Sequence, residues 1–163
     1  MSKGHPRGAA ARVAALLKKR GWKLATAESC TGGMIASMLT GVPGVSEVYR
    51  GGFVTYVNEE KTRMLGVPAS LLAVRGAVSK ETARRMVLGA AGRCQADCAL
   101  SVTGNAGPSA SEGKAVGLVF IGCHVKGHTV VRECHFHGNR AMIRKKAASM
   151  ALLLLEEQLG VWA

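Results

Sequence analysis

Apolar positions along the chain follow two rhythms, and the rhythms alternate. In the first stretch Val13, Leu16 and Leu17 share one helical face, and Gly21 offers a stop, so a helix is predicted over residues 6–20. Residues 22–27 read as a strand, 29–33 as a turn and 34–39 as a short helix. After the Gly41-Val42-Pro43-Gly44 loop, residues 48–57 read as a strand. Gly51-Gly52 interrupts it, which predicts a bulge or a close backbone approach. Asn58 is expected to cap a helix over 59–65, closed by Gly66, and Ser79 to cap a longer one reaching about Cys94. Residues 98–103 read as a strand and 104–113 as a Gly- and Ser-rich loop. Residues 116–125 and 129–136 form a predicted hairpin across Lys126-Gly127-His128. The last helix, 139–158, carries Ile143, Ala147, Met150 and Leu154 on one face.

Helices alternating with strands, plus a hairpin, predict an α/β fold: a single three-layer α/β/α domain with a mixed sheet. It is expected to occupy 1–163, with 1–8 as a flexible lead. The glycines gather at predicted strand ends: Gly32-Gly33, Gly51-Gly52, Gly104 and Gly107. Ligands of open α/β sheets bind beyond strand ends, so the site is expected there.

Charge changes this picture less than its total suggests. The 163 residues hold 22 Lys plus Arg against 10 Asp plus Glu, a formal +12. Seven of those positive charges lie in residues 1–27, which hold no acid; residues 28–138 hold 11 bases and eight acids. The surplus therefore belongs mostly to the first helix and its flanks. Two Trp, two Tyr and three Phe leave little to stack on bases, and no nucleic-acid motif appears, so such a partner is disfavoured. The longest apolar run, 150–155, is too short for a membrane span, and the first residues lack the apolar core of a signal peptide. A cytoplasmic protein is expected. The five cysteines, Cys30, Cys94, Cys98, Cys123 and Cys134, are then thiols by default. A zinc site from Cys94, Cys98, Cys134, His135 and His137 is disfavoured, because strong zinc signals come from tighter paired spacings and Cys94 with Cys98 reads as the end of a helix entering a strand. No metal and no cofactor is expected.

Four segments remain as candidates for chemistry. Thr26-Ala27-Glu28-Ser29-Cys30-Thr31-Gly32-Gly33 runs from strand to helix. There a hydroxyl can point outward while backbone N–H groups face an anion or oxyanion, or Ser29 or Thr31 can simply cap the helix. Cys30 is a rival nucleophile whose small thiol also suits the core. Lys61 sits in the first turn of a helix. It is either a base with a lowered pKa or a solvated lysine beside Glu59 and Glu60. Tyr56, nearby, packs in the sheet or stacks on a ring. Thr103-Gly104-Asn105-Ala106-Gly107 ends a strand in a turn that can face an anion or merely close a loop. Arg140 and Arg144, four apart, either grip a phosphate together or belong to a solvated basic face with Lys145 and Lys146.

Taken together these segments resemble the CinA C-terminal-domain family, competence/damage-inducible proteins that include the bacterial nicotinamide-nucleotide amidases. The resemblance rests on ATAESCTGG at 25–33, GGFVTYVNEEK at 51–61, LGVP at 65–68, GAVS at 76–79, TGNAGP at 103–108, and NR followed by IR at 139–144. It implies an amidohydrolase that converts nicotinamide mononucleotide to nicotinate mononucleotide and ammonia. Ser29 would be the nucleophile and Lys61 its general base. Glu28, Cys30, Thr31, Gly32, Gly33, Tyr56, Thr103, Gly104, Asn105 and Gly107 would surround the pyridine nucleotide, with Arg140 or Arg144 on its phosphate. A positive surround from those arginines would help keep Lys61 neutral. A homo-oligomer is expected.

Residues 109–114, Ser-Ala-Ser-Glu-Gly-Lys, depart from the pattern, as does Ala115 in place of a proline. That departure motivates an alternative, a non-catalytic nucleotide-binding or regulatory module. The chain is also expected to stand alone, whereas the resemblance implies a larger N-terminal domain in many relatives.

Overall fold

The computed structural model describes residues 8–161. In chain order the elements are α1 (Ala9–Arg20), β1 (Leu24–Glu28), α2 (Met34–Thr40), β2 (Tyr49–Val54), α3 (Asn58–Leu65), α4 (Ala69–Arg75), α5 (Lys80–Cys94), β3 (Cys98–Gly104), β4 (Leu118–Val125), β5 (His128–His135) and α6 (Arg140–Val161). The strands form one sheet in the order β2-β1-β3-β4-β5. β1 runs parallel to both neighbours, while β3, β4 and β5 pair antiparallel. The mixed sheet flanked by helices is the α/β/α arrangement that the alternating rhythms predict.

Strand β1, Leu-Ala-Thr-Ala-Glu, is buried along its whole length, as a central parallel strand must be. Its side chains alternate between the two helical layers. Leu24 joins Val13, Leu17, Ile35, Leu39, Leu100, Ile121, Leu152 and Leu155 in the core beneath α1, α2 and α6. Ala25 and Ala27 face the other way, with Ala99, against Leu65, Met86, Val87 and Ala90 of α3 and α5. The small residues on that face let α5 approach closely, and Ser101 donates across the contact to the Ala83 carbonyl at 2.7 Å.

Several boundaries differ from the sequence expectation, each for a local reason. β1 starts at Leu24 rather than at residue 22, because the Lys23 amide donates to the Asp97 carboxylate at 2.8 Å and Trp22 lies near Arg20 and Lys126. The bulge in β2 falls on Arg50: Leu24 pairs with Tyr49, and Ala25 with Gly51. A Cβ on Gly52 would lie 2.2 Å from Thr26 Oγ1, so the glycine makes room for the Thr26–Tyr49 hydroxyl bond at 2.6 Å. Asn58 is the first residue of α3 rather than its cap. Extended Val57 precedes the helix, and no side chain caps it. Helix α4 lacked a sequence signal, since only Leu72 of its seven residues is buried. Ser79 does cap α5, accepting from the Thr82 amide. The expected flexible lead and the first residues of the 6–20 helix lie mostly outside the described residues.

Helix α3 is pressed against α5 at one point of backbone contact. A Cβ on Gly89 would lie 2.2 Å from the Leu65 carbonyl oxygen. Gly92, one turn on and exposed, has nothing within 4 Å. Gly92→Ala is expected to stabilise the fold by up to about 1 kcal/mol through helix propensity alone. Gly89→Ala is expected to destabilise it despite the same propensity gain, because backbone must move. Urea or thermal unfolding of the two variants checks this. Equal stabilisation by both would contradict the contact.

Candidate active site

The alternation in β1 decides which side chains of 26–33 can meet a ligand. Thr26 and Glu28 point toward α2 and α6. Ser29, one residue further, continues the ladder, its amide donating to the Val102 carbonyl at 3.0 Å, and its side chain emerges on the α3 side. There Lys61 Nζ lies 2.9 Å from Ser29 Oγ. Lys61 is 1% exposed although it sits in a turn with Glu59 and Glu60. The Nζ group also donates to the carbonyls of Thr55 at 2.7 Å and Tyr56 at 3.2 Å. Two of its three substituent directions are thus fixed by backbone, and the third points at the serine.

Burial pushes the Lys61 amine down to about 8. The charges acting on it pull the other way: a Cys30 thiolate and Glu112 would both favour the ammonium. This corrects the expectation that a positive surround helps keep Lys61 neutral, since the downward shift comes from desolvation. Cys30 is 6% exposed, and its thiol is pushed up to about 11 by burial. It stays protonated at neutral pH and is a poor rival to Ser29.

Glu28 and Thr31, expected among the substrate-binding residues, are not on the cavity wall. Glu28 is 1% exposed. It accepts from Thr31 Oγ1 at 2.6 Å and from the amides of Ile35 at 2.9 Å and Ala36 at 3.1 Å. A carboxylate there satisfies the first free amides of α2 and meets the positive end of its dipole. Gly32 and Gly33 also lie off the wall, and the Gly32 amide closes the turn onto the Ser29 carbonyl at 3.0 Å. Gly32 has φ +60, and a Cβ there would meet an Arg144 Nη at 3.2 Å.

A cavity of about 340 Å³ opens above Ser29 and Lys61. Cys30, Tyr56, Thr103, Gly104, Asn105, Gly107 and Arg140 all line it. Thr103 donates to the Ala77 carbonyl at 2.8 Å, and Asn105 Oδ1 accepts from the Gly107 amide at 3.2 Å, so both also shape the wall. Arg140 donates to the Gly107 carbonyl and to Tyr56 Oη at 2.9 Å, which ties the two sides of the mouth together. Arg144 does not reach the cavity. Its Nε donates to the Cys30 carbonyl at 3.0 Å and an Nη to that of Thr31 at 3.2 Å. The two arginines that share a helix therefore do different work.

Ala77, Val78 and Glu112 are among the wall residues that the sequence analysis did not name as site residues. The Glu112 carboxylate accepts from the amides of Ala77 at 2.9 Å and Val78 at 3.0 Å, with Lys114 Nζ at 3.4 Å. Burial would raise its pKa, but those amides and Lys114 hold it below the ordinary range. The 109–114 loop is thus pinned to the segment before α5. An acid and a base two apart in a Ser/Gly loop were the available hint. Near Lys61, Thr55 Oγ1 is buried without a hydrogen-bond partner. The cysteines and histidines weighed as zinc ligands are not gathered: no group of three or more His, Cys, Asp or Glu among the described residues is placed to hold a metal. No helix among them is long and apolar enough to cross a membrane.

Residues 7–159 match the family described as the CinA C-terminal domain. A CinA-like protein of Citrifermentans bemidjiense is 49% identical over 142 residues, covering 86% of this chain and 34% of the relative. A CinA-like protein of Kosmotoga olearia is 46% identical over 141 residues, covering 86% and 34%. The chain thus spans about a third of the length of these relatives. Among solved structures, competence damage-inducible protein A of Klebsiella pneumoniae superposes with a TM-score of 0.93 at 38% identity, covering 95% of this chain and 97% of that one.

Because the charge of Glu112 favours the ammonium, Glu112→Gln is expected to move the Lys61 pKa below about 8. An NMR titration of the Lys61 side chain measures this. An unchanged or higher value would show that Glu112 does not act on the amine.

Proposed function

The chain belongs to the CinA C-terminal domain family, and from that premise we propose that it is an amidohydrolase that deamidates nicotinamide mononucleotide through a Ser29–Lys61 dyad. One observation carries the reading: a fully buried amine, its pKa lowered to about 8, lies 2.9 Å from a serine hydroxyl at the floor of a cavity.

The neutral amine has two N–H bonds and one lone pair. Thr55 and Tyr56 accept the two N–H bonds, which leaves the lone pair facing Ser29 Oγ. As Oγ attacks the carboxamide carbon, Lys61 takes its proton. The tetrahedral intermediate places its oxygen near the amide of Cys30, at the start of the turn. Protonated Lys61 then gives the proton to the departing nitrogen, and ammonia leaves an acyl ester on Ser29. Water attacks that ester while Lys61 accepts a proton from it, and collapse returns Ser29 with the nicotinate product. The positive pyridinium ring makes the carboxamide carbon more electrophilic. At the mouth, Arg140 and Tyr56 suit a phosphate, and about 340 Å³ lies in the size range of small-molecule sites.

Purified protein is expected to release ammonia from nicotinamide mononucleotide. Ser29→Ala should lower kcat by about 10³-fold or more. Lys61→Ala should lower kcat with little change in KM. Only the neutral amine accepts a proton, so kcat/KM should rise about tenfold per pH unit below about 8 and level off above it. A rate independent of pH from 6 to 9, or a Ser29→Ala variant as fast as wild type, would sink the reading.

A further inference from the structure

We propose that Arg144 is a positioning residue that orients the backbone amides after Ser29 toward the developing oxyanion and does not bind the substrate phosphate; this rests on the amidohydrolase reading above. Its guanidinium spans two successive carbonyls, Cys30 at 3.0 Å through Nε and Thr31 at 3.2 Å through an Nη. In a trans peptide the carbonyl and the following N–H point in opposite directions. Holding the Cys30 carbonyl therefore fixes the Thr31 amide. Holding the Thr31 carbonyl fixes the Gly32 amide, which donates to the Ser29 carbonyl at 3.0 Å. That bond in turn fixes the Cys30 amide. One side chain thus sets three consecutive peptide planes behind the nucleophile.

Two further observations point the same way. Among the described residues, the Thr31 amide donates to no main-chain or side-chain acceptor and that of Cys30 to none beyond its own thiol, whereas that of Gly32 is taken by the Ser29 carbonyl. Cys30 also lies on the cavity wall. And Gly32 keeps space for the guanidinium: with φ +60, a Cβ would lie 3.2 Å from the same Nη. Lysine is a poor replacement for this contact, because its ammonium lacks the rigid planar fork that holds an Nε and an Nη donor at two fixed positions. Arg140, in contrast, faces the cavity and reaches Tyr56.

The test compares Arg144→Ala, Arg144→Lys and Arg140→Ala with wild type in two assays. The first is steady-state hydrolysis of nicotinamide mononucleotide. Arg144→Ala is expected to lower kcat by about 10- to 100-fold, a loss on the scale of weakening an oxyanion donor, with KM within about twofold. Arg144→Lys should recover little of it. Arg140→Ala should chiefly raise KM. The second assay is the rate at which a fluorophosphonate labels Ser29, which needs oxyanion support but no nucleotide. That rate should fall in both Arg144 variants in proportion to kcat. Thermal melts identify variants that have lost the fold, and Arg144→Lys, which keeps the charge and length, stands in for Arg144→Ala if the latter is unfolded. If nucleotide hydrolysis is absent but labelling still falls, the substrate reading fails and the role of Arg144 stands. A raised KM with unchanged kcat and labelling, or labelling unaffected in both Arg144 variants, overturns the inference.

Discussion

An amine with no access to solvent is costly to keep, and much of the architecture is arranged around that cost. Lys61 lies under α3 against the end of β1, and its pKa of about 8 stands below the ordinary 10.5. The difference corresponds to about 3 kcal/mol held against the fold whenever the group is charged. The sign follows from the direction of the shift. Below about 8 both folded and unfolded chains carry the proton and the full penalty applies. As pH rises from about 8 toward 10.5 the unfolded chain alone stays protonated, and the penalty is relieved. The carbonyls of Thr55 and Tyr56 moderate it by accepting from Nζ. Cys30, protonated at neutral pH, places no negative charge beside the amine and so gives no such relief.

The turn that carries Ser29 shows how neighbouring residues divide by side-chain direction. Glu28 points to α2 and ties its first amides to the end of β1. Ser29 points to α3 and Lys61. The carbonyls of Cys30 and Thr31 turn to α6 and meet Arg144. Helices from both sides of the sheet thus converge on the four residues from Glu28 to Thr31. On the opposite wall, Glu112 and Lys114 fasten the 109–114 loop through the Ala77 and Val78 amides and the carbonyls of Arg75 and Val78.

The layers, the sheet and most element ends were legible in the sequence because they rest on local signals. Alternation marks β1, a Lys-Gly turn marks the β4–β5 hairpin, and Ser79 marks the start of α5. The site was legible in part. Motif order singled out Ser29 and Lys61, but composition alone would leave Lys61 as a solvated neighbour of Glu59 and Glu60. Its burial depends on how α3 packs, 32 residues away in sequence from Ser29. Glu28 and Thr31 were read as substrate ligands because they adjoin Ser29, and adjacency hides which face of a strand a side chain takes. Arg140 and Arg144 looked equivalent for the reverse reason. They share one face of α6, yet one turn of helix separates the mouth of the cavity from the back of the turn. Glu112 gave only a faint signal, its spacing from Lys114, since its closest partners are backbone amides.

The point where the Leu65 carbonyl rests on Gly89 lies one helical turn from Lys61, on the same short helix. A rigid rod transmits displacement along its length. The depth of the amine below the cavity floor is therefore gauged by a contact between two backbones, outside the cavity altogether. The position of that nitrogen atom thus leans on the absence of a single methyl group on the neighbouring helix.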